Sequence, residues 1–164
     1  MVKENIRIEG AVIRFRNFSG KEGKFNPAGR RNFCVLFDPI EQKELVEKLI
    51  SDGWNIRWLT PKDESEDDIP YISVSVSYDN IPPKIYIVTK KKKTLIEDED
   101  TINMLDWAEL ENVDLVLRPY NWEVNGKSGV KAYLKTGYFT IVEDEFADKY
   151  EDIPDSAISA ICDD

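Results

Sequence analysis

Residues 127–138 read KSGVKAYLKTGY and alternate strictly. Val130, Ala132 and Leu134 fall on one parity, Lys131, Tyr133 and Lys135 on the other. That pattern predicts a β-strand with one dry face and one face reading basic, aromatic, basic. The wet face suits a polyanion that carries flat bases: ammonium groups follow phosphates, and an aromatic ring stacks on a base for about 1–3 kcal/mol. Stacking requires no particular base, so tolerance of sequence follows from the same chemistry.

The bias recurs. Arg14, Arg16 and Phe18 repeat it near the start of the chain, and Lys21, Lys24, Phe25, Arg30 and Arg31 fill the glycine-rich stretch that follows. Tyr120, Trp122 and Lys127 add a late set. The candidate contacts to single-stranded nucleic acid are therefore Arg14, Arg16, Phe18, Lys24, Arg30, Arg31, Tyr120, Trp122, Lys127, Lys131, Tyr133 and Lys135. A Lys-Tyr-Lys face is also the ordinary wet side of an antiparallel sheet, since Tyr tolerates half-exposure and Lys blunts strand edges. Trp54, Trp58 and Trp107 lack basic neighbours apart from Arg57 and are expected in the core, as are Phe15, Phe33 and Phe37.

Catalytic patterns do not compete. Histidine is absent, which removes the commonest general base and a common zinc ligand. The two cysteines, Cys34 and Cys162, are far apart, so neither a zinc site nor a disulfide scaffold is expected. The acidic loop PKDESEDDIP lacks the glycine and closing glutamate of a calcium-binding loop and reads as solvated. No enzyme activity, cofactor or metal is expected. A metal-dependent nuclease would need only a few carboxylates, but the carboxylates here collect in loops and at the C-terminus.

The formal net charge of -10 over 164 residues hides a division. Residues 1–37 hold eight Lys/Arg against three Asp/Glu, a balance of +5. Residues 143–164 hold nine acidic residues against Lys149 alone, a balance of -8, which leaves -2 for residues 1–142. The acidity belongs mostly to the tail, which either solubilises the protein or competes with phosphate for a basic groove. No apolar run reaches the roughly 18 residues of a membrane span, and MVKENIRIEG does not read as a signal peptide. A reduced, cytoplasmic setting is the expectation.

Several elements must position these residues. NIRIEGAVIRFRNF alternates but changes phase at Gly10, as a bent first strand would. Strands are predicted at 32–37, 55–60, 71–78, 84–89, 113–117 and 130–142, with a polar hairpin at 118–129 whose Asn-Gly is a two-residue turn signal. One helix is predicted at 39–52, with Asp38 as cap and Gly53 as stop, and a short helix or turn at 101–110. The runs KKKK and EDED read as a solvated hairpin or loop, the lysines alternatively as DNA contacts. The expected fold is mainly β: an OB-fold-like five-stranded barrel plus an extra hairpin, with one main α-helix. Residues 1–150 would form the barrel and 151–164 an acidic tail; strand counting alone leaves a sandwich open.

The blocks RFRNFSGKEGKFNPAGRRNFCVLFD, LDWAELENVDLVLRPYNWEVNGKSGVKAYLKTGYFTI and EDEFADKYEDIP, in that order, resemble bacteriophage single-stranded DNA-binding proteins with an OB-fold. The resemblance implies a replication and recombination accessory that coats and protects single-stranded DNA and recruits other proteins through its acidic tail. It favours DNA over RNA, which the chemistry alone does not separate. The terminus reads SAISAICDD where bacterial relatives carry DDIPF, so their partner-binding peptide does not transfer. A homodimer is compatible with coating. The alternative is a protein-interaction barrel whose acidic loops and tail imitate DNA toward a host enzyme.

Overall fold

The computed structural model describes residues 4–23, 27–63, 66–79, 81–90 and 92–142. The expected tail at 151–164 lies outside them, as do Lys24 and Phe25. Nine strands occur among the described residues: β1 (Ile6–Ile8), β2 (Val12–Asn17), β3 (Arg31–Leu36), β4 (Arg57–Leu59), β5 (Ile69–Val76), β6 (Lys84–Val88), β7 (Lys93–Ile96), β8 (Leu110–Val124) and β9 (Lys127–Ile141). Helix α1 spans Lys43–Asp52, and a 3-10 helix spans Thr101–Asp106. No helix among the described residues is long and apolar enough to cross a membrane.

The strands run β1-β8-β9-β5-β3-β2. Because β1 and β2 are consecutive in the chain, the two ends of this order meet. Gly10 sits between them at φ 61°, a left-handed conformation that glycine adopts without a Cβ penalty. Its N–H donates to Asp114 Oδ1 (2.9 Å), and the Ala11 N–H donates to the Val113 carbonyl (2.7 Å). The first strand therefore leaves β8 and joins β3 across one bend, closing an OB-like barrel. The phase change read at Gly10 is this bend: Ile6, Ile8 and Ile13 all reach the core.

Strands β5 and β6 both lie parallel to β9, and β7 folds back on β6 as the extra hairpin. The lysine-rich run thus leads into a hairpin. β8 and β9 pair along their whole length, from Leu110–Ile141 to Val124–Lys127, around the Asn125-Gly126 turn. Both turn residues have positive φ, 52° and 78°, as a hairpin turn of this size requires. Fifteen residues per strand extend about 50 Å, so the end of this hairpin stands clear of the barrel.

Helix α1 begins later than expected, at Lys43. Asp38 instead organises the turn before it: Oδ1 accepts from the Ile40 and Glu41 N–H groups (both 2.9 Å), which hold its carboxyl below the ordinary range. Gly53 stops the helix at φ 104°, as predicted. Val46 and Leu49 bury the inner face.

Phe33, Phe37 and Trp54 are core residues, as expected. Phe15, Trp58 and Trp107, expected in the core, are exposed, and Phe18, expected at the interface, is buried. Between Arg14 and Asn17 the β2–β3 register gains a residue, and Phe15 at φ 56° marks the bulge. One extra residue reverses side-chain parity. Phe15 is consequently turned outward, while Phe18 is fully buried, stacked on Phe33 (centroids 5.2 Å) and edge-on to Phe139 (5.7 Å). Trp58 lies half-exposed on β4, a three-residue strand paired only to β5. Phe18→Ala should cost about 3–5 kcal/mol of stability, measured by urea unfolding; a loss below 1 kcal/mol would contradict the buried assignment.

Candidate nucleic-acid interface

The outward face of the β8–β9 hairpin is built by register. Arg118 opposes Tyr133, Tyr120 opposes Lys131, Trp122 opposes Gly129 and Val124 opposes Lys127. Opposed residues share a face, so rings and cations interleave across the two strands. The Arg118 guanidinium lies 4.7 Å from the Tyr133 ring centroid, and Lys131 Nζ lies 5.3 Å from it. Tyr120 meets Tyr133 edge-on at 5.7 Å. Trp122 leans across onto Gly129, where a Cβ would sit 2.7 Å from the indole; only glycine leaves that space.

Beside this face runs a groove of about 630 Å3. Arg30 and Arg31, Asn32 of β3, Arg57 of β4, Ser73 and Ser75 of β5, and Lys131 and Tyr133 of β9 line it. Its floor follows from pairing: Asn32 opposes Ser75, and Ser75 neighbours Tyr133 in the parallel ladder. Cys34, paired with Ser73, adds no negative charge near neutral pH, because burial pushes its thiol up against the weaker pull of Ser73 and Arg57. Burial, reinforced by the charge of Glu99, likewise raises Tyr78, so its phenol stays protonated on the groove wall.

Two carboxylates, Asp79 and Glu99, line this otherwise basic wall. Glu99 Oε1 accepts from Arg31 Nη1 at 2.7 Å, where the Arg31 side chain is only 11% exposed. Arg31 Nε, Arg118 Nε and Tyr78 OH are buried with no hydrogen-bond partner among the described residues.

Of the residues named from sequence, Arg30, Arg31, Lys131 and Tyr133 meet in the groove, and Tyr120, Trp122 and Lys127 continue along the hairpin. Four lie elsewhere. Phe18 is in the core and offers no face to a base. Arg16 Nη1 donates to the Leu105 (2.9 Å) and Ala108 (2.8 Å) carbonyls, fastening the 3-10 helix to β2. Arg14 borders a separate seam between β2 and the start of β8. Lys135 is the extra residue of a β9 bulge between Leu134 and Thr136, outside the groove lining. Lys24 is not among the described residues.

Arg57, Arg118, Tyr78 and the serines of β5 were not singled out. Arg118 shares the parity of Tyr120 and Trp122, a signal that was available. Arg57 reaches the groove only through β4–β5 pairing, which no local pattern announces.

A closed barrel with a basic groove beside an interleaved aromatic and cationic hairpin defines a nucleic-acid-binding class of OB-like protein. The chain belongs to a phage single-stranded DNA-binding family: the family model described as "Putative phage ssDNA-binding domain" matches residues 1–163. No curated protein sequence matches it. Among solved structures it is similar to the single-stranded DNA-binding protein from bacteriophage Enc34, at 11% identity and a TM-score of 0.57, covering 95% of this chain and 89% of that one. The same phage protein in complex with ssDNA matches at 12% identity and a TM-score of 0.56, covering 87% and 89%. At these identities the similarity establishes the fold.

Glu99 occupies the Arg31 guanidinium, a group whose chemistry also suits a phosphate. Glu99→Gln should therefore tighten binding of oligo-dT by up to about fivefold at low salt, read by fluorescence anisotropy. Unchanged affinity would show that the ion pair does not compete.

Proposed function

We propose that this protein coats single-stranded DNA without sequence preference and without catalysis, protecting it during phage replication and recombination. The observation that carries the reading is the register of the β8–β9 hairpin, which sets Arg118 and Lys131 against Tyr133, beside a groove lined by Arg30, Arg31 and Arg57. Phosphates take the groove and the cations at its rim. Tyr120 and Trp122, more exposed than Tyr133, supply the stacking faces. Tyr133 serves as the post on which two cations rest, since a base entering against its ring must displace one of them.

The acidic segment 143–164 lies outside the described residues. Its balance of -8, from nine carboxylates and one lysine, supports a role as an intramolecular competitor for the groove and as a recruiting peptide for replication or recombination proteins. Self-association on DNA as a homodimer or longer array, and action in the host cytoplasm, belong to the same proposal.

Titration with poly-dT at two salt concentrations is the test. Binding should weaken steeply with salt, and Lys131→Ala should flatten the slope of log K against log salt by about 0.7. Tyr133→Phe keeps the ring that supports the cations and should bind like the parent, while Tyr133→Ala should bind about tenfold more weakly. Absence of binding at low salt, or degradation of the oligonucleotide when magnesium is added, would overturn the proposal.

A further inference from the structure

Phe15 and Trp107 are the two most exposed aromatic side chains among the described residues, at 65% and 67%. Neither lies in the groove or on the hairpin face. Phe15 is also held at φ 56°, a conformation that a bulky residue keeps only where its surroundings enforce it. A polar side chain at this bulge would avoid exposing a hydrophobic ring, and a glycine would avoid the strain. The sequence places phenylalanine there.

The surroundings do enforce it. Arg16, the next residue, bridges the carbonyls of Leu105 and Ala108, on either side of Trp107. From the opposite direction, the Asp106 carboxylate accepts from the Phe18 N–H (2.6 Å), the Ser19 N–H (3.1 Å) and the Ser19 hydroxyl (2.7 Å). Two reciprocal braces thus fix β2 against the end of the 3-10 helix, with one exposed ring carried on each partner. Lys21 Nζ lies 5.4 Å from the Trp107 ring centroid.

This patch is continuous with the groove. Asn32, on the groove wall, pairs with Asn17 on β2. Asn17 in turn exchanges hydrogen bonds with the Lys21 backbone, its Nδ2 donating to the carbonyl (3.1 Å) and its Oδ1 accepting from the N–H (2.9 Å). The line Asn32, Asn17, Lys21, Trp107 leads from the groove across β2 onto the exposed rings.

We propose that Phe15 and Trp107 form a second base-stacking platform, with Lys21 as its phosphate contact, which receives the single strand as it leaves the groove across β2. The proposal rests on the reading of the barrel as a single-stranded DNA binder. An exposed ring with a cation over it at Trp107, beside an exposed ring braced in a strained backbone at Phe15, has the chemistry of a stacking platform on an electrostatic path.

The test uses the full chain and labelled oligo-dT of two lengths, about 6 and about 16 nucleotides, the span of site sizes seen for such folds. Phe15→Gly removes the ring and relieves the positive φ, so thermal stability should hold or rise. Trp107→Ala alters an exposed side chain and should leave the fold intact. Each should weaken binding of the longer oligonucleotide about tenfold while leaving the shorter one and the salt slope nearly unchanged. If both variants bind the longer oligonucleotide as the parent does, while Tyr133→Ala does not, the second platform is refuted and the groove reading stands. If the parent itself binds neither oligonucleotide, both fall.

Discussion

The structure depends on one strand being used twice. Residues 6–17 pair first with β8 and then with β3, and the change of partner occurs at a single glycine in a left-handed conformation. Without that bend the sheet would have two open edges, each a row of unpaired backbone groups. With it, β8 and β9 become interior members of a closed barrel and can extend beyond it as a hairpin arm. The placement of the aromatic and cationic rows follows from closure, because register on β8 and β9 fixes which side chains look outward.

Two bulges then decide what each face carries. At Phe15 the extra residue of β2 sends an expected core ring into solvent and draws Phe18 into the core. At Lys135 the extra residue of β9 shifts the inward parity from Ala132 and Leu134 to Gly137 and Phe139. Beyond it Tyr138 faces outward and stacks on Tyr86 at 4.8 Å, with Lys93 4.9 Å from the Tyr86 ring. Alternation was therefore legible within each uninterrupted stretch and misleading across each bulge. The hairpin bearing Lys131 and Tyr133, the Asn-Gly turn, the bend at Gly10 and the stop at Gly53 were all readable, because glycine and parity announce them. A phenylalanine at positive φ announces nothing, since the braces that hold it come from Asp106 and from Arg16, whose acceptors lie some ninety residues away in the chain.

The electrostatics resolve in the same local way. A chain of net charge -10 presents a basic wall because its cations converge on one groove, from the loop before β3, from the start of β3, from β4 and from β9. Protonated Cys34 and Tyr78 add no negative charge there; Asp79 and Glu99 do, and Glu99 is tied to Arg31 in an ion pair. Composition could show the basic front of the sequence. The arrival of Arg57 at the groove and of Arg118 against Tyr133 required the pairing of β4 with β5 and of β8 with β9.

The central claim is that single-stranded DNA lies along the outer face formed by β3, β5, β9 and the β8–β9 arm. Ultraviolet crosslinking of oligo-dT to the intact protein, followed by peptide mapping, tests it most directly. The account predicts adducts on peptides containing Tyr120, Trp122 or Tyr133. Adducts confined to the helix side, on peptides containing Trp54 or Trp58, would contradict it.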